Sequence, residues 1–179
     1  MKKLFTLVTI TFFLSCTNKE LSDKVVQQQN QLKKYQMTAN KARKNKATVR
    51  AFYDALTAEN AETVANLFAE DAKHINPYHS GIFPKGANGK EAIKNYWEPV
   101  FPNFDGMTFP IEEIYAMEDP NIVFVKYKGN IQLKNGEGVY SNDYYSTFKF
   151  NEEGKIIEYV EIFNPITAAK GFGLIDKIK

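Results

Sequence analysis

The sequence predicts an α+β domain: three helices, then a four-stranded antiparallel meander, with the helices covering one face of a curved sheet that leaves an open-ended cone. Three observations carry this. Apolar residues recur at helical spacing in three stretches before Phe101. After Pro102 the apolar period changes to two. Pro, Asn, Asp and Gly cluster between the alternating stretches, as turns require.

Each element follows from its residues. In Ala47 to Ala58, Val49, Phe52, Tyr53 and Leu56 fall at i, i+3, i+4 and i+7, the stripe of an amphipathic helix. Asn60 caps a second helix, with Val64, Leu67 and Phe68 as its inner stripe. Lys73 to Pro77 reads as a short extended piece ending before a proline. Ser80 to Asn88 is a loop. Gly89 to Phe101 is a third helix with Ile93, Tyr96, Trp97 and Val100 inward, and Pro99 strains it or ends it early. Strands are expected at 107–118, 122–133, 138–150 and 155–163. The turns between them are Asp119-Pro120-Asn121, Asn135-Gly136 and Glu152-Glu153-Gly154.

The N-terminal part is different in kind. Met1-Lys2-Lys3 precedes an uncharged run from Leu4 to Leu14, then Ser15 and Cys16, the single cysteine. That run is too short to span a bilayer and reads as an export signal over residues 1–15. Phe13-Leu14-Ser15-Cys16 resembles a bacterial lipobox. The resemblance implies a mature chain lipidated at Cys16 and tethered to a membrane of the bacterial cell envelope. A plain secreted protein is the other reading. Residues 16–44 form a polar tether, partly helical, with seven Lys or Arg against two acids from Asn18 to Lys44. The remainder, 45–179, carries 14 basic and 19 acidic residues and is one domain of ordinary size. A basic tether suits anionic headgroups or serves as a solvated spacer. An acidic body without a basic stripe speaks against nucleic-acid binding.

The element order, with Leu67-Phe-Ala-Glu-Asp-Ala72, resembles the nuclear transport factor 2-like superfamily, also called SnoaL-like, over residues 44 to 176. The resemblance implies a pocketed cone, used by isomerases, cyclases, dehydratases and non-enzymatic binders, and pairing of two copies through the long strands. A ketosteroid isomerase of this superfamily needs a tyrosine and two aspartates where this chain has Phe52, Asn76 and Ser146, so that mechanism is not implied. The chain is more similar to the phenazine-biosynthesis A/B proteins. The matching stretches include Arg43-Lys-Asn-Lys-Ala-Thr-Val49, Glu118-Asp-Pro-Asn121, Tyr140-Ser-Asn142, and Glu161-Ile-Phe-Asn164 followed by Phe172-Gly-Leu-Ile175. By that likeness Glu161 points into the cone as an acid/base. The family's third-helix histidine corresponds to Tyr96, or to Trp97 with a one-residue shift.

The residues themselves single out the same carboxylate. Glu161 shares a strand face with Ile157, Tyr159 and Phe163, and a carboxylate on an apolar face must be paired, edge-exposed or used for proton transfer. Ile156, Val160 and Ile162 make the opposite face apolar too, so alternation leaves its direction open between the cone and a surface pairing with Lys126 or Lys149. His74 alternates with Asn76 on the first strand. It is either a second acid/base facing Glu161 or a hydrogen-bonded rim histidine, with His79 the weaker candidate. Tyr53, Tyr96, Trp97, Tyr127, Tyr144 and Tyr159 are core or, with Asn76, Ser146 and Phe163, the lining for a flat or partly apolar ligand. Asp143 falls on the outward face. Two histidines without ligand spacing argue against a metal, and proton transfer calls for no cofactor. Three functions follow as expectations: a lipoprotein binding a small aromatic ligand, a cofactor-independent lyase, isomerase or cyclase, and a structural envelope protein with a filled cone.

Overall fold

In the computed structural model the residues described are 2–134 and 138–178, with side chains from residue 18 onward. The apolar run and the Cys16 thiol therefore lie outside the described side chains. The chain forms two units, Met1–Asn40 and Lys41–Lys179. In the first, residues 18–40 are helical and exposed along their whole length. No helix among the described residues is long and apolar enough to cross a membrane.

The second unit contains the C-terminal part of α1 (Lys2–Thr57), then α2 (Ala61–Asn66), β1 (Phe68–Ile75), β2 (Gly86–Asn88), α3 (Lys90–Trp97), β3 (Phe104–Thr108), β4 (Ile111–Ala116), β5 (Ile122–Leu133), β6 (Val139–Phe150), β7 (Ile156–Phe163) and α4 (Pro165–Gly171). The α1 stripe is buried as its spacing predicts, with Val49, Phe52, Tyr53 and Leu56 all within 2% of full burial. The Asn60 side chain accepts from the Thr63 amide and starts α2. In α3 the helix stops at Trp97, two residues before Pro99.

The strands form one sheet in the order β2-β1-β7-β6-β5-β3, with β4 also paired to β5. All pairings are antiparallel except β1 with β7. Several elements differ from the sequence expectation: the sheet has seven strands rather than four because β1 and β2 join it and the first expected strand is split in two, β2 falls inside the loop expected over Ser80 to Asn88, β1 pairs in parallel, and α4 follows the last strand. The helical stripe expected through Leu67 and Phe68 ends at Asn66, and Phe68 opens β1. The reason is long-range: the Leu67 carbonyl accepts from the Ile156 amide and Phe68 pairs with Ile156. The strand expected over 107–118 is broken between Thr108 and Ile111, because Pro110 has no N–H for the ladder. On β7 the buried isoleucine is Ile156, with Ile157 only half-buried. Lys149 pairs with Glu158 while Phe150 pairs with Ile156, so Ile157 is the extra residue of a β-bulge.

β5 and β6 turn one face to the core. Val123, Val125 and Tyr127 stand opposite Phe148, Ser146 and Tyr144. Gly129 continues the β5 row because the Tyr144 ring lies over it, and a Cβ there would stand 2.6 Å from Tyr144 Cε2. Gly129→Ala should displace that ring and cost about 1–3 kcal/mol by overpacking, read by denaturant unfolding. A stability within 0.3 kcal/mol of wild type, to order of magnitude, would contradict the close approach.

Candidate functional site

Glu161 reaches the concave side because the β7 bulge sets its phase with Tyr159, and its position is buried, at 7% exposure. Two phenols hold one of its oxygens. Tyr159 donates to Oε1 at 2.9 Å and Tyr127 donates to the same atom at 3.0 Å. The two hydroxyls are 3.3 Å apart. The other oxygen, Oε2, lies 3.6 Å from His74 Nε2. His74 reaches this point through the parallel pairing that sets it beside Tyr159.

The His74 ring is held by aromatics on three sides. It stacks on Tyr159 at 4.8 Å and on Trp97 at 5.8 Å, and meets the Tyr96 edge at 4.6 Å. Neither ring nitrogen has a hydrogen-bond partner among the described residues. Asn76 Nδ2 donates to the Tyr96 hydroxyl at 3.0 Å and to the Pro84 carbonyl. The Tyr96 proton is thus left free to donate elsewhere.

These side chains border a cavity of about 270 Å³. Glu161, Tyr96, Trp97, Tyr144 and Phe163 line it. Tyr127, Tyr159, His74 and Asn76 stand behind that lining and hold it. Tyr53 and Ser146 lie deeper. The Tyr53 ring sits 4.4 Å from Tyr127, Ser146 is opposite Glu161 across the β6–β7 ladder, and both hydroxyls are buried without a partner among the described residues. His79 accepts from the Gly81 amide in the loop after β1, outside the cavity. Asp143 points outward and pairs with Lys128. The surface partners considered for Glu161 are engaged elsewhere or exposed: Lys126 pairs with Glu112 and Glu113, and Lys149 is exposed.

Several lining residues were not singled out from sequence. Tyr140 is four residues before Tyr144 on the same strand face, so the alternation contained it. Its hydroxyl accepts from Asn142 and is 3.0 Å from that of Tyr144. Phe172, after α4, packs on Tyr140 at 4.5 Å, and Phe83 of the loop packs on Phe163 at 5.5 Å. A loop phenylalanine and one beyond a strand carry no periodicity to reveal their direction.

Burial governs the phenols. It pushes Tyr53, Tyr127, Tyr144 and Tyr159 well above the ordinary phenol range. It also raises Tyr96 and Tyr140, and the Glu161 carboxylate adds to the shift of each. They therefore remain protonated donors near neutrality. Above about pH 10 the unfolded chain releases phenolic protons that the folded chain keeps, so stability contributed by these groups is present below that pH and lost above it. Tyrosinate absorbance from these six should appear together with loss of circular dichroism. Reversible titration of all ten tyrosines in a folded protein would contradict the burial.

The comparisons with known proteins agree with this fold. The SnoaL-like domain family model matches residues 49–159. The chain belongs to the SnoaL-like family. Over 137 residues this SnoaL-like chain is 24% identical to the uncharacterized protein YesE of Bacillus subtilis, covering 76% of the chain and 92% of YesE. A solved putative isomerase from Bacillus subtilis superposes with a TM-score of 0.68 at 23% identity, covering 75% of this chain and 96% of that one. A phenazine biosynthesis-related protein from Pseudomonas aeruginosa superposes with a TM-score of 0.65 at 19% identity, covering 78% and 92%. At these identities the two structures establish the shared cone.

Proposed function

We propose that this protein binds a small, partly apolar, aromatic ligand in the cone of its SnoaL-like domain. The observation that carries the reading is a cavity of about 270 Å³ walled by aromatic rings with one buried carboxylate, Glu161, among them. Such a mostly apolar cavity with few convergent polar groups suits a small molecule. Mass spectrometry of ligand released from the natively purified protein tests it, with a bound aromatic compound as the expected result. A cavity filled by its own side chains in solution, with no ligand taken up, would leave the structural envelope role instead.

The same proposal places the protein in the bacterial cell envelope, anchored by a lipid on Cys16 after removal of residues 1–15. The support is the basic start, the apolar run and the position of the single cysteine. Labelled palmitate on wild type and none on Cys16→Ser is the expected result in the host. Two copies pair through the outer face of the long strands, where Tyr145 and Ile162 are exposed and Phe124 lies beside Tyr145. Sedimentation velocity reads this directly.

A second reading is favoured by the division of labour at Glu161. Two phenols fix Oε1, while Oε2 lines up with His74 and lacks a close donor. A carboxylate held by one oxygen and free at the other can take a proton from a bound C–H or O–H and return it to a second atom. That is isomerase, lyase or cyclase chemistry, without a cofactor. The likeness to the phenazine-biosynthesis proteins supports Glu161 in that role, with His74 or a phenol assisting. Under this reading Glu161→Gln loses turnover by far more than it loses binding.

A further inference from the structure

We infer that the cavity selects a positively charged ligand: an ammonium group carried on a small aromatic or apolar body. This rests on the reading of the cavity as a ligand site and adds the charge of its occupant. Of the 16 residues that line it, nine are aromatic, and Glu161 alone carries a charged side chain. No Lys, Arg or His is among the 16. Aromatic faces attract a cation through their quadrupole, most strongly where water is excluded. A carboxylate buried among them supplies the counter-charge.

The hydrogen bonding aims that charge. Oε1 is taken by the Tyr127 and Tyr159 protons, so the oxygen left for a ligand is Oε2. The basic group nearest to it, His74, stands behind the lining at 3.6 Å. A neutral ligand can donate a hydrogen bond to Oε2 but brings no counter-charge, and an anionic one meets a carboxylate in a lining that holds no Lys or Arg. An ammonium group satisfies Oε2 and faces rings at once. Tyr144 and Phe163, 5.8 Å apart, are two of those rings, with Tyr96 and Trp97 in the same lining. The volume limits the body to about one aromatic ring with a short chain.

Isothermal titration calorimetry of the full chain at neutral pH tests this with three near-isosteric probes: 2-phenylethylamine, 2-phenylethanol and 3-phenylpropanoate. The amine should bind at least about tenfold more tightly than the alcohol, and the carboxylate should not bind detectably. In Glu161→Gln the amine and the alcohol should come within about threefold of each other. The wild-type ranking stands whether or not that variant folds. An alcohol or carboxylate that binds as tightly as the amine overturns the charge selection and leaves the ligand cavity intact. Binding of none of the three, with no ligand co-purifying, overturns the cavity reading as well.

Discussion

Phe52→Ala should lower stability by about 3–5 kcal/mol, the range for emptying a fully buried aromatic site. Phe52 is completely buried and lies at the junction of helices and sheet. Its ring meets Tyr53 at 5.1 Å, Phe68 at 5.9 Å, Trp97 at 6.5 Å, Phe148 at 5.3 Å and Tyr159 at 4.9 Å. Those five rings come from α1, β1, α3, β6 and β7, so the void opens where every layer meets. Collapse into it is resisted because the neighbouring rings are fixed by further aromatic contacts. Phe52→Leu keeps most of the volume and should lose clearly less. Guanidinium unfolding reads both. A loss below about 1 kcal/mol for the alanine variant would mean the site relaxes freely and the packing described is wrong.

The second large effect concerns the two phenols on Glu161. Removing one, by Tyr127→Phe or Tyr159→Phe, leaves Oε1 with a single donor and should cost about 1.5–3 kcal/mol. Removing both leaves a buried carboxylate oxygen with neither, and the double variant should lose more than the sum of the singles. The diagnostic is the background. In Glu161→Leu the same two substitutions no longer strip a charge of its donors, and their joint cost should fall to that of two hydroxyls. An additive pair with an equal cost in both backgrounds would show that the phenols do not hold the carboxylate.

Much of this was legible because it is periodic. The α1 stripe and strands β5, β6 and β7 lie within a residue of their expected bounds, since alternating β-branched and aromatic residues leave few other foldings. The same alternation made Tyr127, Tyr144 and Ser146 candidates for one lining, and the ladder holds them on one face. What it could not give was non-local. The contact of His74 with Glu161 depends on a parallel pairing between the first and last strands, and nothing near either residue specifies it. The same pairing turned Phe68 from a helical position into a strand. Phe83 and Phe172 enter the cavity from a loop and a chain end, where side-chain direction is set by what they meet. Residue chemistry put Glu161 among the candidates, and tertiary contacts decided which of its oxygens is free.

The bulge at Ile157 settles which half of the last strand the cavity sees. Counted in strict twos from the buried Ile156, the inward residues would be Glu158, Val160 and Ile162. Their wall would carry its charge at the far, core-packed end, and Tyr159, Glu161 and Phe163 would face outward. One supernumerary residue exchanges the two sets. The cone's polarity is therefore written as a frame: the hydrophobic end of the strand is read in one phase and the ligand end in the other. A single deletion or insertion near residue 157 could turn a site into a plain wall, or a plain wall into a site, with the rest of the sheet unchanged.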